Sequence, residues 1–266
     1  MMRLDKYLAE MGVGTRQEVK KQIRQGKVTV NGTVVKAADT KIDETCDEVT
    51  IGGRNISYVS YEYYMLNKPG GVVSATEDRR DTTVIDLIKD KKRKDLFPVG
   101  RLDKDTEGLL LITNDGDLAH RLLAPKKHVD KVYYAKIDGM VTEEDVKRFA
   151  EGIDIGAEEE EMTRPAKLDI MKSAEESEIR LTIHEGKFHQ VKRMFLAVGK
   201  EVTYLKRERM GTLCLDENLK ARRIPAADRR GDRECQKINF YRFAKRIWKN
   251  GDGNSWILSI FPEMLM

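Results

Sequence analysis

Asp103 is a candidate residue for carboxylate chemistry. It lies on a polar loop between Gly100 and Gly108, two positions after Arg101, and an apolar run follows the loop directly. A neighbouring cation keeps a carboxylate ionised, as a nucleophile or a general base requires. An acidic loop before a strand is also a common solvated turn, so the spacing alone leaves both interpretations open.

A second polar run covers residues 183–194 and contains two histidines five positions apart. No cysteine or third histidine lies nearby, so the pair does not predict a metal site. Residues 187–209 hold seven lysines and arginines against two acids, which predicts a basic patch able to bind phosphate. Earlier in the chain, Tyr133 and Tyr134 could place a ring against a nucleobase, although tyrosines in strands also pack in cores.

A helix-helix-hairpin module is predicted ahead of these segments. Apolar residues at i, i+4 and i+7 predict a helix over residues 3–11. A capping box at Thr15 and Glu18 opens a second helix, which Gly26 ends. Asn31-Gly32 between two valine-rich runs predicts a hairpin.

This module is basic, since residues 1–36 hold eight lysines and arginines against three acids. On the second helix Arg16, Lys20 and Arg24 are spaced four apart and share one face, with Lys27 just beyond the helix. We refer to Arg16, Lys20 and Arg24 as the N-terminal basic face. A basic stripe can also simply solvate a helix, so the stripe alone does not establish a binding surface.

The composition indicates a soluble globular protein. The 266 residues are 40% hydrophobic and 35% charged, which is enough for one large or two modest domains. No apolar run approaches the roughly 20 residues of a membrane span, and the charged start is unlike a signal peptide, so we expect a cytoplasmic protein without a membrane partner. Three widely separated cysteines predict neither a disulfide framework nor a zinc site.

The body of the chain mixes strands and helices without βαβ alternation or an internal repeat, which predicts an α+β fold with a mainly antiparallel sheet. Helices are predicted at Val84 to Lys92, Leu118 to Leu123, Glu143 to Glu151 and after His189. Strands are predicted at Tyr61 to Leu66, Gly108 to Thr113, Lys131 to Ile137, Ala166 to Met171 and Glu178 to His184. We divide the chain into residues 1–57, residues 60–220 and an atypical basic tail, residues 221–266.

The N-terminal module resembles the S4 RNA-binding domain. The resemblance covers residues 2 to about 56 and rests on Arg3-Leu-Asp-Lys-Tyr-Leu8, Thr15-Arg16 and Gly26-Lys-Val-Thr-Val-Asn-Gly32. It implies that the N-terminal basic face and Lys27 contact an RNA backbone. Such contacts position a protein on structured RNA without reading its sequence.

Residues 2–219 as a whole resemble the RsuA-type family of pseudouridine synthases. Five ordered motifs carry this resemblance: Gly100-Arg-Leu-Asp103, Gly108 to Thr113 with Asn114-Asp-Gly116, Lys131-Val-Tyr133, Glu185-Gly-Lys-Phe-His-Gln-Val-Lys-Arg-Met194 and Leu205-Lys-Arg-Glu-Arg209. The resemblance implies a catalytic domain built on a mainly antiparallel sheet. It also implies isomerisation of uridine to pseudouridine without a cofactor or a metal.

The resemblance implies a role for each of four site residues. Asp103 is the catalytic aspartate, as nucleophile or base, and Tyr133 stacks on the target base. Lys192, which stands where other pseudouridine synthase families have arginine, pairs with Asp103, and Leu205 packs over the site. RNA contacts around this site are expected from Arg101, Lys187, His189, Arg193 and Arg207.

The motifs Phe97-Pro-Val-Gly-Arg-Leu-Asp103 and Arg207-Glu-Arg-Met-Gly211 look closest to those of the members that modify one uridine of 16S rRNA. We therefore expect a 16S enzyme that acts as a monomer on ribosomal RNA or a pre-ribosomal particle. A 23S enzyme of the same family is the first alternative. The alternative from another class is a non-catalytic RNA-binding factor for ribosome assembly.

The tail after Leu219 departs from the family pattern, because the usual Gly-x-Tyr/Phe-Arg-x-Leu-Thr ending is absent. A back-translation of Arg222 to Gln236, with suitable codons and a shift of one nucleotide, gives Gly-Glu-Tyr-Arg-Pro-Leu-Thr. We therefore hypothesise that residues 221–266 are translated out of frame, which the nucleotide sequence would decide. The alternative is a genuine basic extension with ten bases and five acids.

Overall fold

The structure, a computed structural model, describes residues 1–89, 91–124, 129–156, 161–216, Leu219 and the backbone of Gln236–Lys237. The atypical tail predicted at residues 221–266 lies outside the described residues except for that last pair. The helices assigned in the described part are α1 Leu4–Glu10, α2 Arg16–Arg24, α3 Gly116–Leu123, α4 Glu143–Glu151 and α5 Gln190–Ala197. The strands are β1 Met2–Arg3, β2 Val28–Val30, β3 Thr33–Val34, β4 Lys41–Ile42, β5 Val49–Ile51, β6 Arg54–Asn55, β7 Tyr63–Lys68, β8 Phe97–Pro98, β9 Glu107–Thr113, β10 Lys131–Asp138, β11 Lys167–Lys172, β12 Glu176–Ile183, β13 Glu201–Met210, β14 Leu213–Cys214 and β15 Gln236–Lys237.

The N-terminal module has the predicted helix-helix-hairpin order. The capping box at Thr15 and Glu18 is formed at the start of α2. Asn31 and Gly32 adopt φ angles of 50° and 77° in the turn between β2 and β3, the left-handed conformation that this hairpin turn requires. Strands β3, β2, β5 and β6 form an antiparallel sheet, and a separate apolar core holds the module together.

The body is an α+β domain around one large sheet, as predicted. Its strand order in the described residues is β11-β12-β10-β13-β9-β7-β15, and nearly all neighbours are antiparallel. Side chains of successive residues alternate between the two faces, so Leu110 and Ile112 of β9 enter one core while Leu109 and Leu111 enter another. No helix in the described ranges is long and apolar enough to cross a membrane.

Strands β9 and β13 are parallel neighbours, and they join the two halves of the sheet. Gly108 of β9 pairs with Arg207, and a Cβ atom at Gly108 would lie 2.3 Å from the carbonyl oxygen of Arg207. Its φ of 101° is also unfavourable for other residues. Glycine is therefore required where the strand that follows the Asp103 loop meets β13.

The helix predicted at Val84 to Lys92 is wrong. The described part of this segment forms turns, in which Thr83 and Asp86 exchange side-chain and backbone hydrogen bonds. At the far end the Glu62 carboxylate accepts hydrogen bonds from the backbone N–H groups of Lys92 and Arg93 at 2.9 Å. These tertiary bonds replace the ladder of a helix, and the apolar side chains of the segment are still buried.

Arg93 connects the N-terminal module to the body. Its guanidinium is buried and donates hydrogen bonds to Glu10 of α1 at 3.1 Å and to Asp95 at 2.8 Å. It also lies 5.7 Å from the centre of the Tyr58 ring. A buried arginine with two carboxylate partners fixes the contact between α1 and the segment before β8.

Candidate active site

The loop that carries Asp103 runs from β8 to β9 and is held at several points by hydrogen bonds. The Ser74 hydroxyl donates to the carbonyl of Leu102 at 2.8 Å and accepts from its N–H at 3.1 Å. The N–H of Thr106 donates to the carbonyl of Asp103 at 3.1 Å. The loop therefore presents the Asp103 carboxylate from a fixed backbone.

Lys68 also holds the loop that carries Asp103, through hydrogen bonds to backbone carbonyls. Its side chain is 0% exposed, and its ammonium donates to the carbonyls of Pro69, Lys104 and Thr106 at 3.1, 3.1 and 2.8 Å. Burial lowers the pKa of Lys68 to about 8, against the opposing effect of nearby carboxylates that include Asp105. At neutral pH the ammonium keeps its proton and all three hydrogen bonds.

Lys192 of α5 lies between two aspartates of the loop. Its Nζ is 2.7 Å from both carboxylate oxygens of Asp105 and 3.7 Å from Oδ2 of Asp103. The predicted pairing of Lys192 with Asp103 is thus present as the longer of two ion pairs. Partial burial acts to raise the pKa of Asp105, but the Lys192 ammonium outweighs it and holds that pKa below its usual range.

His189 completes the polar side of the site, with Nε2 3.5 Å from Oδ1 of Asp103. It precedes α5 and has a φ of 47°, a left-handed conformation that is uncommon for a histidine. Gln190 fixes this turn, because its side chain accepts from the N–H of Lys187 and donates to Glu185, both at 2.9 Å. The turn thereby places His189 and Lys192 on the same side of Asp103.

One cleft contains all four residues that the motifs assign to catalysis; we call it the Asp103 cleft. Tyr133 of β10 and Leu205 of β13 form its apolar floor with Ile183, and Asp103 and Lys192 form its polar wall. Its remaining lining residues are Arg101, Leu102, Thr106, Lys187, His189, Gln190 and Val191. An apolar surface beside a carboxylate suits a flipped-out base whose sugar faces the charge.

The basic residues predicted to bind RNA around this cleft are largely engaged within the protein. Lys187 donates to the carbonyl of Met162 at 2.7 Å, and Arg193 contacts Glu161 and the carbonyl of Ile155. Arg101 remains exposed at the rim. The patch is therefore less available to phosphate than its charge alone suggests.

The predicted RNA contact by Arg207 is inconsistent with the structure. Its side chain is only 2% exposed, and its Nε donates to the carbonyl of Leu109 at 2.8 Å. Sitting opposite Gly108 on the neighbouring strand, the residue braces the junction of β9 and β13. Arg207 is therefore a buried charge, and the spacing of residues along the sequence did not indicate its burial.

The N-terminal basic face is a separate surface on α2. Arg16 and Arg24 are exposed, as is Lys27 after the helix, while Lys20 is half-buried with Nζ 3.8 Å from Asp5. Lys20 and Arg24 also line a shallow groove with Gln17, Lys21 and Gln25. This arrangement can contact a polyanion over one helical face.

Clustering of metal-binding side chains is not seen at these sites. In the residues that the structure describes, no group of three or more His, Cys, Asp and Glu side chains has the arrangement of a metal site. The two histidines of residues 183–194 have different partners, since His184 lies 2.8 Å from Asp130 and His189 faces Asp103.

Two residues of the site, Lys68 and Asp105, were not predicted from the sequence. Lys68 occurs in Asn67-Lys-Pro-Gly-Gly71, which indicates only a turn, and Asp105 looks like a solvated partner of the loop. The sequence signal for Lys68 is its position at the end of the apolar run Tyr63 to Leu66, where a lysine is unusual unless it has buried acceptors. The Asp105 contact had no signal, because its partner is 87 positions away.

Comparisons with known proteins agree with this architecture. Residues 62–197 match the protein-family model for RNA pseudouridylate synthase, and residues 2–49 match that for the S4 domain. A crystal structure of a pseudouridylate synthase superposes with a TM-score of 0.60 at 35% sequence identity, covering 92% of this chain and 100% of that one.

Three curated relatives illustrate the range of similarity. "Uncharacterized RNA pseudouridine synthase YtzG" of Bacillus subtilis (strain 168) is 49% identical over 220 residues, covering 82% of this chain and 91% of the relative. Ribosomal small subunit pseudouridine synthase A of Vibrio vulnificus (strain CMCP6) is 43% identical, with coverages of 82% and 92%. Ribosomal large subunit pseudouridine synthase B of Bacillus subtilis (strain 168) is 42% identical, with coverages of 81% and 88%.

Proposed function

This chain belongs to the RNA pseudouridylate synthase family, and from that membership we propose that it isomerises one uridine of small-subunit 16S ribosomal RNA to pseudouridine. The observation that carries the chemistry is the Asp103 cleft, in which Asp103 and Lys192 face an apolar floor containing Tyr133. The small-subunit target is supported by the motifs around Asp103 and Arg207 and by relatives named as small-subunit enzymes.

The reaction breaks the bond between N1 of uracil and C1′ of the ribose, turns the base and forms a bond between C5 and C1′. The proton on C5 is lost and N1 gains one, so the product is an isomer and no group donor is consumed. A carboxylate at Asp103 can attack the sugar or remove a proton from it. Both routes use the carboxylate oxygens of Asp103, and the Lys192 ammonium lies 3.7 Å from Oδ2 of that carboxylate.

The cleft supplies the other requirements of the reaction through its shape. A uridine within folded RNA must leave its stack before C1′ can reach a carboxylate. Tyr133 offers a ring for the flipped base, and Leu205 closes the apolar floor beside it. Loss of stacking in RNA is thereby offset by stacking in the protein.

The N-terminal basic face is proposed to hold the RNA while the cleft acts on it. An S4 domain occupies residues 2–49, and its exposed arginines suit backbone phosphates. We propose the division into residues 1–57 for this handle and 60–220 for catalysis. A cytoplasmic monomer that acts on ribosomal RNA or a pre-ribosomal particle completes the proposal.

Incubation of the purified chain with unmodified 16S and 23S transcripts, followed by pseudouridine mapping, tests the proposal. We expect one modified 16S position and none in 23S. Asp103→Asn should abolish the modification, a loss of about 1,000-fold or more, while RNA affinity changes little.

The other outcomes are equally informative. A modified 23S position instead would support the large-subunit alternative. The similarity to ribosomal large subunit pseudouridine synthase B of Bacillus subtilis favours that alternative. Modification that survives Asp103→Asn would overturn the assigned chemistry. Binding with a steep salt dependence but without modification of either RNA would identify a non-catalytic assembly factor.

A further inference from the structure

We propose that Phe188 is a stacking platform for a nucleobase that flanks the target uridine. The proposal rests on the proposed function, because it assigns a second base-binding position beside the same cleft. Tyr133 is the ring for the flipped uridine, and Phe188 is the ring for a neighbour of that uridine in the RNA chain.

Exposure is the first observation. Phe188 is 74% exposed, although a phenyl ring is normally buried. A single exposed apolar side chain needs no explanation by itself. The position of this one, next to a residue that contacts Asp103, is what requires one.

The Phe188 ring continues the site outward. It stacks on the imidazole of His189, with 3.8 Å between ring centres and an angle of 20° between planes. The same imidazole lies 3.5 Å from the Asp103 carboxylate. Two rings in series therefore connect the catalytic carboxylate to the rim, and the outer ring remains largely open to solvent.

The backbone under the two rings is fixed. His189 is held in the left-handed conformation, and Gln190, which is buried, accepts the N–H of Lys187. Arg193 donates to the carbonyl of Phe188 at 3.2 Å. A platform that is ordered before RNA binds loses little conformational entropy on binding.

The surroundings suit a nucleotide. Arg101 lines the cleft beside this turn and is exposed, whereas Lys187 and Lys192, which also line it, are bound to partners within the protein. An aromatic face among cations is the usual arrangement for splayed-out bases in single-stranded or loop RNA. Stacking of this kind accepts any base, so Phe188 should strengthen binding near the target without dictating the sequence there.

The test compares substitutions that separate ring stacking from apolar size. Phe188→Ala and Phe188→Leu remove the aromatic face, whereas Phe188→Tyr and Phe188→Trp keep it. Leu196→Ala is the matched control, because Leu196 is 70% exposed on α5 and does not line the cleft. The readouts are the dissociation constant and the single-turnover rate with a fragment of 16S rRNA. Thermal melting confirms that each variant is folded.

We expect Phe188→Ala and Phe188→Leu to weaken binding about tenfold or more, with the rate at saturating RNA changed much less. Phe188→Tyr and Phe188→Trp should restore binding to within about threefold. Leu196→Ala should match the wild type. A Phe188→Leu variant that binds like the wild type, or a Trp variant that binds like the Ala variant, would falsify the stacking role.

Abasic substitution of the RNA identifies the partner base. Removing the base that stacks on Phe188 should weaken binding by the wild type and leave Phe188→Ala unaffected, while other positions should affect both proteins equally. If no position shows this coupling, the proposal is wrong. An inactive wild type would overturn the proposed function alone, because the affinity ratios still decide the role of Phe188.

Discussion

The N-terminal basic face and the Asp103 cleft both carry positive charge, but they are built in different ways. The three residues of the basic face lie on one turn-to-turn stripe of α2, and its two arginines are exposed. The cleft combines segments that are far apart in sequence, and its Lys192 is already bound to Asp105 at 2.7 Å.

This difference shows how charge is used in the two regions. Exposed cations gain affinity for RNA by releasing counterions, and their effect is strongly salt-dependent. Cations paired inside a cleft contribute mainly by orienting a carboxylate and stabilising its charge. The comparison therefore predicts binding defects from one region and rate defects from the other.

After Asp103 itself, the largest effect is expected from Lys192. Lys192→Met removes the cation between Asp103 and Asp105, and we expect the single-turnover rate at saturating RNA to fall about 100-fold. Lys192→Arg keeps the charge and should lose no more than about tenfold. Rates measured by tritium release from RNA labelled at C5 of uridine decide the matter. A Met variant with an intact rate would mean that the cleft does not use this cation.

A smaller rate effect is expected from Lys68, accompanied by a loss of stability. Lys68→Met leaves the three carbonyls of Pro69, Lys104 and Thr106 without their donor, at a cost of about 1–3 kcal/mol in the free energy of unfolding. Loosening of the Asp103 loop should slow the reaction about tenfold. Denaturant titration and single-turnover kinetics measure the two effects. Unchanged values of both would show that the loop does not depend on Lys68.

The pH dependence of stability provides an independent check on Lys68. Its folded pKa of about 8 lies below the ordinary value of 10.5, so the unfolded chain binds more protons between these values. Stability relative to Lys68→Met should therefore rise with pH from about 8 to 10.5. A constant difference across this window would contradict the buried, proton-bearing environment.

The basic face should respond in affinity. Replacing Arg16, Lys20 and Arg24 together by glutamine should weaken RNA binding about tenfold at moderate salt and reduce the salt slope by roughly 2 to 3. The rate at saturating RNA should stay near that of the wild type. Filter binding over a range of salt concentrations gives the slope. An unchanged slope with a reduced rate would reverse the assignment of the two regions.

The smallest effect is expected from Asp5, which lies beneath the basic face. Nε and Nη2 of Arg3 each donate a hydrogen bond to the Asp5 carboxylate at 3.0 Å. These hydrogen bonds hold the pKa of Asp5 below its usual range. Because the folded pKa is lowered, the stabilisation exists above about pH 4 and is lost as the pH falls through the folded pKa. Asp5→Asn should cost about 1 kcal/mol at pH 7, and the difference should shrink towards pH 2. Unfolding at both pH values tests this, and a difference that persists at pH 2 would exclude the ionic origin.

Elements with local signals could be predicted from the sequence. The capping box of α2 and the Asn31-Gly32 turn involve residues within a few positions of each other. Helix α4 likewise has its predicted bounds, Glu143–Glu151, and it begins after a capping box formed by Thr142 and Asp145. The segment at Val84 to Lys92 also has apolar spacing typical of a helix. It does not form one, and at its end the backbone N–H groups of Lys92 and Arg93 donate to the carboxylate of Glu62, which is distant in sequence.

Only the part of the site that lies within the family motifs could be predicted from the sequence. Asp103, Tyr133, Lys192 and Leu205 meet in one cleft as the family resemblance implied. Strand β13 had no sequence prediction, because its run of charged residues looks exposed while Arg207 is in fact buried. Burial of a charge depends on partners such as the carbonyl of Leu109, which lies 98 positions away.

The parallel contact of β9 and β13 makes the active site a late product of protein synthesis. The N-terminal module and β9 leave the ribosome well before Glu201–Met210, yet β13 supplies Leu205 and the neighbour of Gly108. Until that strand emerges, β9 and β10 have no strand between them and the apolar floor stays incomplete. A nascent chain can therefore acquire its RNA-binding module long before it can modify RNA.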